Sequence, residues 1–229
     1  MTLPESSFWR IFVVVGLVVG LAVGVMLVRQ RQLTQTSAKY TELEALPVNV
    51  TDTSIGIWWR SDNLSPGCVD LVDIDTRQTF SQCEETAALN HLVNVSGLTP
   101  SAKYEVQISS GGNTVLLSPF FGAYIQTSAR PDFLAPQLVI GKVTVSDSSL
   151  SNATVFVGLD LSDHFRFPLA VKTAADGTFT ADLAKLAYFS PPPYSAYFVE
   201  VTDSTGLKLT EVSLGVAEVD INGINLNIK

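Results

Sequence analysis

The chain has 229 residues, of which 46% are hydrophobic and 16% charged, and its formal net charge is −8. Residues 1–31 contain three of the 14 basic residues and one of the 22 acidic ones, so the remainder carries a net charge of −10. A body this acidic lacks the basic surface that nucleic-acid binding requires, and we expect no nucleic-acid partner.

The first predicted element, after a short N-terminal segment at residues 1–10, is a transmembrane helix over residues 11–28. The run Ile11–Val28 contains no charged residue. A helix of this length rises about 27 Å, close to the thickness of a bilayer's hydrocarbon core. A cleaved secretory signal is the competing interpretation, but its apolar core is normally shorter and follows basic residues. We therefore favour an uncleaved anchor in contact with membrane lipid.

Three glycines, Gly16, Gly20 and Gly24, recur every fourth residue in this helix and share one face. Such a face lets a second helix approach closely, which predicts a homodimer through the helix, although glycine is common in membrane helices generally. The flanking basic residues favour a cytoplasmic body, whereas large translocated domains override that bias. We predict a single-pass protein of the cell membrane whose C-terminal body is extracytoplasmic.

Residues 29–45 contain neither glycine nor proline and have no continuous apolar face, which predicts a stalk. From residue 46 onward, short alternating runs separated by turn residues predict β-strands, among them Val115–Thr127 and Val216–Ile228. Residues 128–137 break this pattern and are interpreted as a linker between blocks at 46–127 and 138–229. The predicted fold class is all-β: two tandem β-sandwich domains behind one transmembrane helix.

The first block resembles a fibronectin type III domain over residues 46–127. The residues that carry the resemblance are the opening Leu46–Thr51, the pair Trp58–Trp59 and the run Val95–Tyr104. The resemblance implies that one tryptophan packs between the sheets and the other faces outward. The type III domains that precede metallophosphatase domains are the most similar in character, but no metal-binding part follows here, so that activity is not carried over.

The run Val95–Tyr104 matches the family's Gly-Leu-x-Pro-x-x-x-Tyr element with Leu98, Pro100 and Tyr104. In this family the leucine enters the core, the proline sets a turn, and the tyrosine hydroxyl bonds back to the backbone as a tyrosine corner. We expect the same roles for these three residues.

The second block resembles the carboxypeptidase regulatory-like domain, a prealbumin-like sandwich of seven strands, over residues 138–229. The matching segments are Gly141–Val145, Ala153–Val157 and Thr173–Phe179. Within the last segment, Asp176 and Gly177 are expected to form the turn and Phe179 to return to the core. The resemblance implies a structural or adhesive domain without catalytic residues.

The only two cysteines are Cys68 and Cys83. If they face each other across a hairpin, the midpoint falls at Asp75-Thr76, residues that suit a turn, and Leu71 faces Phe80. We predict a disulfide, which requires an oxidising compartment and agrees with an extracytoplasmic body. Two reduced thiols remain the alternative. No further cysteine or histidine lies close enough in sequence to suggest a metal site.

The remaining polar candidates are interpreted as structural. His91 and His164 are placed at strand ends or in loops, and the three aspartates of the first hairpin are assigned to a solvated sheet face rather than to calcium. Four asparagines begin Asn-x-Ser/Thr sequons that would accept glycans in a secreted eukaryotic protein. These groups are Asp70, Asp73 and Asp75, and Asn49, Asn63, Asn94 and Asn152.

The predicted function is that of a non-enzymatic surface protein that presents two β-sandwich modules for adhesion, protein binding or spacing. The alternative is a structural accessory subunit of a multi-protein envelope or membrane complex. The aromatic segments 163–168 and 188–194 are the best loop-borne contacts for a protein or carbohydrate partner, because loops carry binding on β-sandwiches. We expect no catalytic residue, metal or cofactor.

Overall fold

The computed structural model describes residues 45–117, 119, 122–130, 135–159, 168–188, 196–215, 219 and 223–228. The predicted transmembrane helix, its glycine face at Gly16, Gly20 and Gly24, and residues 29–44 of the stalk lie outside the described residues. Among the residues that are described, no helix is both long and apolar enough to cross a bilayer. Leu43–Lys229 form one compact unit, and its described part is almost entirely β-strand and turn.

The first β-block, residues 45–130, is built from two antiparallel sheets. Its strands are β1 (Leu46–Val48), β2 (Ser54–Ser65), β3 (Gly67–Asp73), β4 (Thr79–Cys83), β5 (Ala88–Ser96), β6 (Lys103–Ser110), β7 (Asn113–Val115) and β8 (Ile125–Gln126). One sheet has the order β1-β2-β5; the other has the order β4-β3-β6-β7, with β8 also paired to β6.

Two boundaries in this block differ from the prediction. Ala45, the last residue of the predicted stalk, is instead fully buried and donates its N–H to the Leu116 carbonyl at 3.0 Å. The continuous strand predicted over Val115–Thr127 is wrong, because β7 ends at Val115 and β8 begins only at Ile125. Gly122, in the interval between them, adopts a φ of 75° that an extended strand does not allow.

Strict alternation in β2 builds the core of the first block. Ile55, Ile57 and Trp59 are fully buried between the two sheets, and each contributes about 2–3 kcal/mol of apolar burial. Trp58 points the other way and is only half-buried. This confirms the expectation that one tryptophan enters the core while its neighbour faces outward.

The second β-block, residues 135–228, also contains two sheets. Its strands are β9 (Leu138–Val145), β10 (Ser148–Ser149), β11 (Thr154–Leu159), β12 (Leu169–Lys172), β13 (Thr178–Asp182), β14 (Ala196–Thr202), β15 (Lys208–Gly215) and β16 (Ile224–Ile228), with a 3₁₀ helix at Leu183–Tyr188. The orders are β10-β9-β13, with β16 parallel to β9, and β12-β11-β14-β15. The predicted strand over Val216–Ile228 is therefore too long, since β16 begins after Gly223, whose φ is 66°.

The turn before β13 forms as predicted. The Asp176 carboxylate accepts the Thr178 N–H at 3.0 Å, and Gly177 has a φ of 77°. A Cβ at Gly177 would lie 2.5 Å from the Val143 carbonyl oxygen, so a larger residue does not fit there. Phe179 then returns to the core with 4% of its surface exposed.

Candidate functional site

The two β-blocks meet along a junction whose apolar part is a small separate cluster. Val48 from the first block packs with Phe156 and Ala170 from the second, and Trp58 lies against them. The Trp58 and Phe156 rings meet edge to face, with centroids 5.1 Å apart. The outward tryptophan of the first block is therefore an anchor for the second block rather than a free surface residue.

Asn90 on β5 is the polar centre of the junction, with 1% of its surface exposed. Its Oδ1 accepts the Trp58 indole N–H at 2.6 Å and the Thr154 hydroxyl at 3.0 Å. Its Nδ2 donates to the Asp203 carbonyl at 2.8 Å. Because this buried amide is satisfied from both blocks at once, it fixes one relative placement of β5, β11 and the loop after β14.

Asn49 joins the first block to the edge of β12. Its backbone N–H donates to the Pro168 carbonyl at 3.0 Å. Its side-chain Oδ1 accepts the Ala170 N–H, and its Nδ2 donates to the Ala170 carbonyl, both at 2.8 Å. The same Nδ2 lies 2.9 Å from the Asn94 Oδ1. Asn49 thus pairs with the strand edge much as another strand would, and its φ of 50° is one that asparagine tolerates.

This geometry changes how the sequons are interpreted. Asn49 uses its Nδ2, the glycan-accepting atom, at the junction, and Asn94 accepts one of its bonds. Asn63 and Asn152 are exposed. The sequence pattern marks Asn49 as a surface residue, whereas the fold uses it as a connector between the blocks.

A charged group reinforces the junction beside Asn90. Lys172 on β12 donates to the Asn90 carbonyl and lies 3.7 Å from Glu84 Oε1. Burial raises the pKa of Glu84, but hydrogen bonds from His91 and the Leu92 N–H and the charge of Lys172 outweigh it, so this pKa lies below its usual 4.5. Burial lowers the pKa of Lys172, and the attraction of Glu84, which raises it, offsets only part of this effect.

His91 was expected at a strand end or in a loop, and this is wrong. It lies within β5, is fully buried, and stacks on Trp59 with ring centroids 4.6 Å apart. Gly67 leaves room for this stack, because a Cβ there would lie 2.3 Å from the Trp59 ring. Gly67 and Trp59 meet only in the folded chain, so the sequence alone carries no signal for this stack.

Glu84, His91 and Ser61 form a hydrogen-bonded chain of carboxylate, imidazole and hydroxyl. His91 Nδ1 is 2.5 Å from Glu84 Oε2, and His91 Nε2 is 2.9 Å from Ser61 Oγ. The chemical order is that of a nucleophilic triad, but Ser61 is only 8% exposed and its hydroxyl also bonds the Asn63 carbonyl at 2.9 Å. A buried hydroxyl held by backbone is poorly placed to attack a substrate, so the chain is better suited to fixing Glu84 at the junction.

The predicted cysteine pair forms the disulfide Cys68–Cys83. The register is the predicted one, with Cys68 opposite Cys83 and Leu71 opposite Phe80. Asp73, assigned to a solvated sheet face, is instead 5% exposed, because its carboxylate caps the hairpin turn by accepting the Asp75 and Thr76 N–H groups.

The tyrosine-corner residues lie together at the start of β6. Tyr104 is fully buried, Leu98 is 3% exposed, and the Tyr104 hydroxyl accepts the Thr99 N–H at 2.8 Å. Pro100 follows Thr99 in the intervening turn. These residues stabilise the first block and do not line the junction.

The two aromatic segments fall mostly outside the described residues, but Tyr188 is described. Its hydroxyl donates to Asp52 Oδ1 at 3.1 Å, while Arg130 contacts the other oxygen of Asp52 at 3.3 Å. Burial and the bond to Asp52 raise the pKa of Tyr188. Tyr188 thus forms a further bond between the blocks, and residues 189–194 of its segment lie outside the described residues.

Beside the junction lies a cleft of about 530 Å³, a volume within the range of ligand sites. Three strands that end their sheets border it: β5 from the first block, and β12 and β13 from the second. Its lining combines amide, hydroxyl, charged and apolar side chains: Asn49, Ser54, Leu92, Asn94, Leu138, Leu169, Ala170, Val171, Lys172, Thr180, Ala181, Asp182 and Lys185. No sequence motif marks this cleft, because its walls come from segments up to 136 residues apart.

No protein-family model matches the chain, and a search of curated proteins finds no relative. Among solved structures, PhoD matches with 14% identity over 44% of this chain and 22% of that chain, at a TM-score of 0.32. The FN5 domain of Drosophila Lar matches with 17% identity over 37% of this chain and 92% of that one, at a TM-score of 0.29. The FN1–FN3 domains of chicken CNTN1 match with 16% identity over 76% of this chain and 66% of that one, at a TM-score of 0.27. Similarities this low assign no family.

Proposed function

We propose that this chain is a non-enzymatic, single-pass surface protein that holds two β-sandwich modules in one fixed arrangement for protein binding. The observation that carries the proposal is the junction. Hydrogen bonds cross the junction from three side chains: Asn90, Asn49 and Lys172. Neighbouring modules move relative to each other by default, and a fixed joint lets both contribute residues to one binding surface.

The proposed location follows from the disulfide and the N-terminal sequence. A bridge between Cys68 and Cys83 is typical of oxidising compartments. Together with the apolar run Ile11–Val28, it supports a membrane anchor with the folded body outside the cytoplasm.

The proposed module types are a fibronectin type III-like domain followed by a prealbumin-like domain. The two-sheet arrangement of the first block and the bond from Thr99 to Tyr104 support the former. The tight turn at Asp176-Gly177 with Phe179 in the core supports the latter.

Location is tested on intact cells that express the full chain with a C-terminal epitope tag. We expect a protease that does not enter cells to remove the tag from intact cells. A tagged cytoplasmic control protein should lose its tag only after the cells are lysed. A tag that survives on intact cells and disappears on lysis would refute the extracytoplasmic placement.

The fixed arrangement is tested by a distance measurement between spin labels on Asn63 of the first block and Asn152 of the second, both exposed. A narrow distance distribution in the full chain supports one arrangement of the modules. We expect Asn90→Ala to broaden it, because the buried bonds to Thr154 and Asp203 are lost. A broad distribution in the unaltered chain would refute the proposal.

A second candidate function, accessory subunit of a membrane complex, is favoured by the glycine face of the predicted helix. Crosslinking in detergent separates the two candidates. Homodimers that Gly20→Ile abolishes indicate self-association, whereas stoichiometric unrelated proteins that co-purify indicate a complex. Ala22→Ile adds bulk to the opposite side of the same helix and serves as the matched control.

A further inference from the structure

The cleft exposes the unpaired edge of β13. The bonds from Val143 N–H to the Gly177 carbonyl and from Leu183 N–H to the Gln137 carbonyl fix which residues face β9. Backbone groups alternate between the two sides of an antiparallel strand, so Thr180 directs both its N–H and its carbonyl away from β9. No described residue bonds either group, and Thr180 lines the cleft.

The other two strands present the same kind of edge to the cleft. The Leu92 N–H donates to Glu84 rather than to β2, so Asn94, two residues further along β5, also directs its backbone outward. On β12, Thr173 N–H bonds the Ala153 carbonyl, which places the Lys172 backbone groups on the outer side. Within the described residues, three sheet edges thus offer free donors and acceptors to one space.

Asn49 shows that these edges accept a strand-like partner. Its side-chain amide pairs with the backbone N–H and carbonyl of Ala170. Ala170 is two residues before Lys172 on β12, and its backbone groups face outward in the same way. An extended peptide could form the same kind of pairing in the cleft, with the outward backbone N–H and carbonyl groups described above.

The side chains around the edges indicate what such a peptide would carry. Leu138 is 67% exposed at the cleft, and an apolar residue packed on it would remove that surface from water. Lys172 is engaged with Glu84, and Asp182 Oδ1 accepts the Gln137 N–H. Lys185 has no ion-pair partner among the described residues. The Lys185 ammonium can therefore pair with an acidic group on the ligand, whereas one carboxylate oxygen of Asp182 is already held by a backbone N–H.

We infer that the cleft binds an extended peptide segment by strand addition at Thr180, with an apolar side chain on Leu138 and a carboxylate facing Lys185. This inference rests on the proposed binding function and names the class of partner that would bind: an extended peptide segment. Its test uses purified protein, so the result is independent of where the chain resides in a cell.

The experiment titrates the full chain in detergent micelles with fluorescently labelled acetyl-TVEVTV-amide and follows fluorescence anisotropy. We expect saturable binding below about 1 mM. Thr180→Pro removes only the outward N–H and no bond of the β9 ladder, because proline is tolerated where the N–H of an edge strand faces solvent. We expect it to raise Kd about tenfold, the effect of losing one hydrogen bond and the local pairing geometry.

Thr180→Val is the matched control, because it removes the hydroxyl and keeps the N–H; we expect its Kd to stay within about twofold of the unaltered chain. Equal binding by the proline variant, or loss of binding with valine, would overturn strand addition. No saturation up to about 1 mM would overturn it as well.

Two ligand-side readouts keep the test independent of how the proline variant folds. The same peptide with N-methylated amides is expected to lose binding to the unaltered chain, and retained binding would contradict backbone pairing. Replacing the peptide's glutamate by glutamine is expected to weaken binding to the unaltered chain but not to Lys185→Gln. An equal effect on both proteins would refute the assigned carboxylate contact.

Discussion

Replacing Asn49 by alanine is expected to release the edge of β12 from the first block. The change removes two bonds to Ala170, both 2.8 Å, and the bond to Asn94 at 2.9 Å. The bond to Asn94 lies within the first block and does not hold β12, so the two bonds to Ala170 count, at about 1 kcal/mol each and about 2 kcal/mol together. Ala170 is 1% exposed, so its backbone groups lose these partners without ready access to water. The expected change in the opening equilibrium of β12 is therefore about 30-fold.

The assay is hydrogen–deuterium exchange of the full chain, followed by mass spectrometry of the peptide that contains Leu169–Lys172. Protection of the Ala170 amide is expected to fall about 30-fold in Asn49→Ala. Peptides from β6, which lies away from the junction, should exchange as before.

The matched control for this substitution is Asn152→Ala. Asn152 has a φ of 54°, close to the 50° of Asn49, so alanine introduces similar backbone strain at both positions. The described Asn152 side chain makes no hydrogen bond. If both variants lower protection of β12 equally, the effect is backbone strain and the bridging role of Asn49 is refuted.

Three further variants test other parts of the structure by urea unfolding. Replacing Cys68 and Cys83 by serine is expected to lower the unfolding free energy by about 3 kcal/mol, and an unchanged midpoint would contradict a stabilising bridge. Tyr104→Phe should lose about 1 kcal/mol, because the Thr99 N–H loses its acceptor; no loss would show that this bond contributes nothing. The lowered pKa of Glu84 means that its contribution is present above pH 4.5 and is lost as the pH falls through the folded-state value. Stability of Glu84→Gln should therefore fall less on acidification than that of the unaltered chain, and parallel curves would refute the linkage.

Features that depend on local sequence could be predicted from the sequence. The pairing of Cys68 with Cys83 sets a register that a short turn then satisfies, and Leu71 duly faces Phe80. Alternation in β2 likewise determines which of its two tryptophans is buried. Alternation does not mark where a strand stops, so the sequence predicts one strand over Val115–Thr127 where the structure has two.

The junction could not be predicted, because its contacts join residues far apart in the chain. Asn49 meets Ala170 across 121 positions, and Asn90 meets Asp203 across 113. A single polar residue belongs to no repeating sequence pattern, so the sequence does not indicate its hydrogen-bond partner. The place of His91 cannot be predicted for a related reason: Glu84 follows β4 and Gly67 begins β3, and both reach His91 on β5 only in the folded chain.

The parallel pairing of β16 with β9 determines how the second block bears mechanical load. These strands are the first and the last described in that block, and five residue pairs from Ile224–Gly141 to Ile228–Val145 align in the same direction. Tension between Leu138 and Ile228 would pull the strands in opposite directions along their own axes. The bonds between them would then be sheared together rather than broken one at a time, so a pulling experiment on the full chain should show one high-force rupture. A body anchored at one end and held by a partner at the other would resist extension through this pair of strands.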